Sequence, residues 1–228
     1  MFKTERRDEI LQFINSKGKV SVEEISEKIY ASPSTVRRDL EKLEAQGLIL
    51  RYHGGAESAQ TLRPPQIIRH QHNQKEKRLI AERAAKLVFP ETVIFIDAST
   101  TVQYMIPCLA GIKNLTVYTN GADTAMRLAE HKIRVICTGG ELKNESMAYV
   151  GQGAIDSVRK VYFDAMFFSS AAFDEYSVSD WSESETELRR IVAEQSARRY
   201  FLADLSKKGK RFPYIVCKLH ELDAVICE

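Results

Sequence analysis

Ser32, Ser34, Thr35, Arg37 and Arg38 fall within one stretch, Ser32-Pro33-Ser34-Thr35-Val36-Arg37-Arg38-Asp39-Leu40, and they are residue types that read a nucleic acid. Short hydroxyls and guanidinium groups near a helix N-terminus reach phosphates and guanine edges in a major groove without steric obstruction. Taken alone, the arginine pair equally suits a solvated surface helix. A second set of groups suits anion chemistry: Asp97, Ser99, Thr100 and Thr101, then Thr119 and Asn120, then Gly139 and Gly140, and finally Lys207. Hydroxyls, free amides at a helix start and a cation make a cradle for phosphate or carboxylate, and glycines let backbone approach a ligand closely. Each group has a plainer reading as a cap, a turn or a surface charge, but jointly they point to a phosphorylated small molecule.

The first set needs a helix presented by two others. Ser32 suits an N-cap, Pro33 suits the first helical position, and Val36, Leu40 and Leu43 repeat at helical spacing on the face away from the arginines. Upstream, residues 6 to 17 carry Ile10, Phe13 and Ile14 at helical spacing, and Gly18-Lys19-Val20 breaks the pattern. Ser21 with Glu24 three residues on is a capping box, and Ile25 and Ile29 give the second helix its buried side. A turn at Tyr30 to Pro33 completes a helix-turn-helix. Gly47 then supplies a stop, and Leu48-Ile49-Leu50 alternates into Arg51 and His53 as a β-wing that places both beside flanking DNA backbone. His53 equally suits a turn-stabilising role. Asp39 is expected to pair with a neighbouring arginine, because a carboxylate facing phosphates would be repelled.

The second set needs a sheet. Apolar runs at 93–96, 115–118, 133–137, 165–168, 200–203 and 224–226 alternate with helical patterns at 100–109, 121–131, 150–158 and 186–198. That alternation predicts a mainly parallel sheet covered on both faces, with ligands bound beyond the carboxyl ends of its strands. Ahead of it, residues 73 to 89 read as a helix with Leu79, Ile80, Ala84 and Leu87 inward and Lys75, Lys77, Arg78 and Arg83 outward. Between the two parts, Pro64-Pro65 and a scarcity of periodic apolar residues predict an extended linker. The chain therefore divides into a DNA-binding domain at 1–57, a linker at 58–74 and an α/β effector-binding domain at 75–228.

Charge distribution agrees with that division. The 228 residues carry a net charge of only +2, but residues 1 to 86 hold 17 Lys+Arg against 12 Asp+Glu, and the remainder 16 against 19. The modest basic excess fits salt-sensitive binding by a dimer or larger assembly. Cys108, Cys137, Cys217 and Cys227 lack metal-ligand spacing, and three stand in apolar strand-like runs, so buried reduced thiols are expected, with no metal and no cofactor. No signal peptide or long apolar span is evident, which predicts a cytoplasmic protein without membrane contact.

The residues Arg6-Arg7, Ile10, Val20-Ser21, Glu24-Ile25, Ser32, Thr35 to Leu40, Leu43, Gly47, Arg51 and His53-Gly54-Gly55-Ala56 resemble the N-terminal signature of the DeoR family of bacterial transcription regulators. More loosely, Asp97-x-Ser99-Thr100-Thr101, Leu115 to Asn120, Gly139-Gly140, Val150-Gly151 and Ala203-Asp204-x-Ser206-Lys207 resemble the effector domain of the same family. That domain is similar in fold to ribose-5-phosphate isomerase, and the resemblance implies a sugar phosphate or related metabolite as effector. The family pattern has glycine where Ser99 stands, serine where Gly121 stands, and a glycine-containing turn where Ser169 to Ala172 follow a strand. Arg189 stands where the family often has lysine.

The resemblance implies a repressor of a carbohydrate-utilisation operon, with double-stranded operator DNA and a phosphorylated sugar as partners. Two-fold operator symmetry calls for a homodimer, or a homotetramer built through the larger domain. The alternative is an isomerase-like enzyme, which needs a carboxylate base such as Asp174, Glu175, Asp180, Glu183 or Glu185 near the sugar carbon. These residues also suit a solvated acidic loop, or Asp180 and Glu185 bind sugar hydroxyls. Fold alone licenses no chemistry, so no catalytic residue is assigned. A DNA-binding scaffold without any effector is the third reading.

Overall fold

A computed structural model describes residues 3–45, 48–58 and 66–228, which fall into two compact units, 1–69 and 70–228. Gly47 and Pro64-Pro65 lie outside the described residues. In the first unit the order is α1 (Lys3–Lys17), β1 (Lys19–Ser21), α2 (Val22–Ile29), α3 (Pro33–Ala45), β2 (Ile49–Tyr52) and β3 (Gly55–Ser58). Ile10, Ile14, Ile25, Val36, Leu40 and Ile49 form its core. The capping box at the start of α2 is complete: Glu24 N–H donates to Ser21 Oγ at 3.1 Å and Ser21 N–H donates to Glu24 Oε2 at 2.8 Å. The three strands form an antiparallel sheet in the order β1-β3-β2. Its tip requires glycine twice. Gly54 has φ +92°, and a Cβ on Gly55 would lie 2.4 Å from both the Val20 carbonyl oxygen and Tyr52 Oη.

The chain continues through α4 (Gln66–Gln71), within the stretch read as linker, and α5 (Gln74–Ala85) to β4 (Val93–Ile96), α6 (Thr100–Gln103) and α7 (Ile106–Leu109). Then come β5 (Thr116–Thr119), α8 (Ala122–Glu130), β6 (Arg134–Cys137), the hairpin β7 (Glu141–Lys143) and β8 (Ala148–Val150), and α9 (Gln152–Val158). The last part holds β9 (Ala165–Phe168), β10 (Ala172–Phe173), β11 (Ser177–Asp180), α10 (Glu183–Glu194), β12 (Arg199–Leu202), β13 (Tyr214–Lys218) and β14 (Ala224–Ile226). Six strands form a parallel sheet in the order β14-β12-β9-β4-β5-β6. Ile94, Ile96 and Phe167 bury on one face, and Phe95, Met166 and Phe168 on the other, so the central strands read as continuous apolar runs. After β4 the chain adds β5 and β6 on one side, then places β9, β12 and β14 on the other. The topological switch point, where such sheets open a crevice, therefore lies beyond the carboxyl ends of β4 and β9.

Four sequence expectations need correction. The buried stripe of α5 is Lys77, Ile80, Ala81 and Ala84, so Lys77 is only 4% exposed while Leu79, expected inward, is 49% exposed. The helix expected at 100–109 breaks into α6 and α7, because Pro107 lacks an N–H and its ring would meet the carbonyl of Gln103. Cys137 is exposed because β6 is the edge strand, and Cys108 is exposed on α7; all four cysteines are free. The antiparallel sheet β10-β11-β13 and the β7-β8 hairpin go beyond the expected elements, since their strands are short and β11 reads Ser-Val-Ser-Asp rather than an apolar run.

Candidate functional site

On the first unit, Ser32 caps α3. Its Oγ accepts from Thr35 N–H at 3.3 Å and lies 3.0 Å from Ser34 Oγ and 2.9 Å from Thr35 Oγ1. Asp39, on the same helix, is buried and receives Arg6 Nε from α1 at 2.7 Å, with Arg7 Nε at 3.8 Å. Arg37 and Arg38 are exposed and have no acidic partner among the described residues. Arg51 in the wing reaches Glu41 at 3.7 Å and Glu44 at 3.5 Å, both on α3, and His53 stands exposed at the tip. Exposed pairs of this kind are worth little, so a phosphate can replace the glutamates. A hollow of about 370 Å³ opens between helix and wing, lined by Arg37 and Leu40 on one side and Arg51, Tyr52 and His53 on the other. Folding thus brings Arg37, Arg51 and His53 around one concavity. No sequence signal singles out Tyr30, which is 96% exposed in the left-handed turn that ends α2.

On the second unit, Asp97 follows β4 and is wholly committed. Its Oδ1 accepts from Ser99 N–H at 3.0 Å and from the Ser99 hydroxyl, and its Oδ2 accepts from Arg189 Nε at 3.0 Å. Arg189, buried on α10, also donates from Nη1 to Asp180 Oδ2 at 3.0 Å and from Nη2 to Glu185 Oε2 at 3.4 Å. Burial disfavours the guanidinium cation, but Asp180, Asp97 and Glu185 outweigh it and raise the Arg189 pKa. Asp180 additionally accepts from Ser170 Oγ and from the Trp181 and Ser182 amides. These four expected residues do come together, but as an ion network that braces β4, β11 and α10.

Neighbouring loops are set by further internal bonds. Asn120 Oδ1 accepts from Ala98 N–H at 3.1 Å and its amide donates to the Tyr149 carbonyl at 3.2 Å, while Thr119 Oγ1 accepts from Gly121 N–H at 3.0 Å. Gly139 and Gly140 both have positive φ, and a Cβ on Gly140 would lie 2.6 Å from the Val150 carbonyl oxygen. Thr119, Asn120 and Gly140 therefore shape the walls.

Cations stand at the switch point itself. Lys77 Nζ donates to Thr100 Oγ1 at 3.2 Å beyond β4, and Lys207 Nζ donates to Ser169 Oγ at 2.8 Å beyond the adjacent strand β9. Both lysines act on Asp204: burial pushes its carboxyl up, but Lys207, the Ser206 hydroxyl, the Asn73 amide and Lys77 together hold it below the ordinary value. Thr101 Oγ1 is buried without a hydrogen-bond partner among the described residues. With α6 only four residues long, local amides and hydroxyls, rather than a macrodipole, supply the donors here. Lys77 and Ser169 escape the sequence reading of the site; the helical phase shared by Lys77, Ile80 and Ala84 is the available signal for the lysine.

Three of the five carboxylates that could abstract a proton are engaged by other groups, and two are exposed. The Tyr176 N–H first, then the Ser177 N–H and Arg211, hold the Asp174 carboxyl at about 2 against desolvation, which makes it too weak a base near neutral pH. Asp180 and Glu185 face Arg189, and Glu175 and Glu183 are exposed. Among the described residues no helix is long and apolar enough to cross a membrane.

A model of the DeoR-like helix-turn-helix domain matches residues 6–61, and one of the DeoR C terminal sensor domain matches residues 72–228. The lactose phosphotransferase system repressor of Staphylococcus aureus is 35% identical over 234 residues, spanning 100% of this chain and 93% of that protein. Among solved structures, eIF2B delta from Chaetomium thermophilum shares the fold at a TM-score of 0.51, with 13% identity over 87% of this chain and 64% of that one. Ribose 5 phosphate isomerase A from Neisseria gonorrhoeae aligns at a TM-score of 0.45, with 19% identity over 60% of this chain and about half of that one, 54%. Other relatives matched over the whole chain, from Escherichia coli and Bacillus subtilis, are named as HTH-type transcriptional regulators. Matched along both of its units, the chain belongs to the DeoR family of transcription regulators.

Proposed function

We propose that this chain is a cytoplasmic repressor of a carbohydrate-utilisation operon whose grip on operator DNA is set by a phosphorylated sugar. The carrying observation is the pair of lysines, Lys77 on Thr100 and Lys207 on Ser169, at the ends of the two strands that flank the switch point. Two ammonium groups beside buried hydroxyls at the switch point match a phosphate ester, which accepts several charge-assisted hydrogen bonds at once. Ser99, Thr101 and Gly139 complete the cradle. Asp97, Asp180, Glu185 and Arg189 brace the wall behind the cradle, and Thr119, Asn120 and Gly140 fix its shape. On the DNA side, Ser34, Thr35, Arg37 and Arg38 enter the major groove, Ser32 holds the helix start, and Arg51 and His53 contact flanking backbone.

The name of the staphylococcal relative, which ties it to a lactose phosphotransferase system, supports the carbohydrate assignment. Symmetric half-sites require two heads, so the working form is a homodimer or homotetramer. The effector need only bind one state of the protein better than another, and about 1 to 3 kcal/mol of coupling shifts operator affinity about 5- to 150-fold. The test is calorimetry of the full chain with ribose 5-phosphate, fructose 1-phosphate and galactose 6-phosphate. Binding in the wild type that disappears in Thr100→Ala/Lys207→Ala, with operator binding retained, is the expected result. Undiminished binding by the double variant places the crevice elsewhere.

A further inference from the structure

The segment with which the second unit begins, His70 to Asn73, is held by residues adjoining the lysine crevice. Tyr104 Oη donates to the His70 carbonyl at 2.9 Å, and the two rings stack with centroids 4.9 Å apart at 23°. Tyr104 directly follows α6, whose first residue is Thr100, the acceptor of Lys77. At its other end the segment is tied by Asn73, whose side-chain amide donates to Asp204 Oδ1 at 2.9 Å and to Ser206 Oγ at 3.3 Å. Asn73 adopts a left-handed backbone, φ 52°, which turns the chain into α5 and brings that amide to the end of β12. Both fastenings thus lie within about one helical turn of a crevice cation or its acceptor: Tyr104 beside Thr100, Asp204 beside Lys207.

We propose that Tyr104 and Asn73 form a latch through which occupancy of the crevice is felt by the 70–73 segment, and through it by the chain leading to the DNA-binding unit. The proposal rests on the effector reading above. A phosphate group held by Lys77 and Lys207 competes with Asp204 for the same two cations, and so alters the partnership that Asp204 has with Asn73. Drawing Lys77 toward a ligand also releases Thr100, at the opposite end of the single turn that carries Tyr104. Packed elements respond to such local shifts by changing between discrete arrangements rather than by graded deformation. Tyr104 and Asn73 are positioning residues here, and neither touches the ligand.

The variants Tyr104→Leu, which removes both stack and hydrogen bond, and Asn73→Gly, which keeps the left-handed backbone but removes the amide, test the latch in the full chain. Ribose 5-phosphate, fructose 1-phosphate and galactose 6-phosphate are the probes, with calorimetry for binding, anisotropy of an operator duplex for DNA affinity and amide exchange at residues 70–73 for the segment. In the wild type a bound sugar phosphate changes exchange at 70–73 and shifts operator affinity by about 5- to 150-fold. In the variants the probe still binds and the thermal midpoint of the second unit holds, but the operator shift collapses to less than about twofold. Tyr104→Phe, which keeps the stack, retains part of the shift. Full effector dependence in both Tyr104→Leu and Asn73→Gly overturns the latch alone. Failure of every probe to bind the wild type overturns the effector reading and the latch with it.

Discussion

Arg6 of the first helix donates from Nε to Oδ2 of Asp39 on the recognition helix at 2.7 Å, and this pairing leaves Arg37 and Arg38 to solvent. The acid that sequence places beside the two arginines proposed to read DNA is neutralised from another helix, so its charge does not oppose a phosphate there. Replacing Arg37 and Arg38 by alanine is expected to abolish operator binding without unfolding the unit. It is also expected to lower the slope of log affinity against log salt by about one for each phosphate that is no longer neutralised. Anisotropy across a salt series measures both, and retained affinity would move the reading face elsewhere.

Asp39→Ala is expected to cost about 2 kcal/mol of stability, because it removes a largely buried carboxylate from Arg6 and strands a partly covered guanidinium. Arg6→Ala should cost less, since Arg7 lies 3.8 Å from the same carboxylate. Urea unfolding of the full chain, followed by a signal from the first unit, distinguishes the two; equal costs would mean that Arg7 does not substitute.

Arg189→Met leaves Asp97, Asp180 and Glu185 buried without their cation and is expected to destabilise the second unit by about 3 to 5 kcal/mol. Arg189→Lys, which keeps the charge but not the three-way fork, should recover only part of that loss. A thermal scan that shows no change in the methionine variant would contradict the bracing role.

Much of the DNA-reading unit is legible in the sequence because its signals are local: Ser32-Pro33 at a helix start, Ser21 with Glu24, and the Val36-Leu40-Leu43 stripe each declare themselves within a few residues. The parallel sheet is legible for a related reason, since strands buried on both faces must be apolar throughout. What sequence hides is the division of labour at the strand ends. Asp97 meets Arg189 across 92 positions and Asn73 meets Asp204 across 131, separations that no periodicity encodes. Lys77 is hard to place because Leu79 and Ile80 offer two competing helical phases. The phase that wins packs Ile80, Ala81 and Ala84 into the core and carries the lysine in with them, its stem covered and its ammonium on a hydroxyl.

Lys77→Met and Lys207→Met are each expected to weaken sugar-phosphate binding by about 10- to 150-fold, the worth of one charge-assisted hydrogen bond. The chain has a single tryptophan, Trp181, whose ring packs on Phe212 at 3.7 Å and whose backbone N–H donates to Asp180 Oδ1 at 2.7 Å, so intrinsic fluorescence reports on the surroundings of one member of the Arg189 network. Titration followed at Trp181 should show a saturable change in the wild type that requires higher ligand concentrations in either variant. Identical curves for all three proteins would exclude the lysines from the site.

Acid should loosen the 70–73 segment. Burial first, then Arg127 and Lys77, lower the His70 pKa from its ordinary 6.5, with Asp123 opposing. The neutral ring is thus the form the fold favours, so its contribution is present above pH 6.5 and is lost as pH falls through the folded-state value. The protection of amides 70–73 relative to their intrinsic exchange rates, which themselves slow in acid, is expected to fall below that point in the wild type but not in His70→Phe, which stacks on Tyr104 at any pH. The same loss of protection in both would assign the effect to another group.

The most direct test of a sugar-phosphate-controlled DNA reader is competition on DNA itself. The purified full chain is used to select duplexes from a random pool, and its affinity for the selected sequence is compared with that for scrambled duplex, with and without each sugar phosphate. The expected result is a marked preference for the selected sequence, and a shift of about 5- to 150-fold in that affinity with at least one of the phosphorylated sugars but not with its unphosphorylated form. Equal affinity for selected and scrambled DNA, or a preference indifferent to every sugar phosphate, would contradict it.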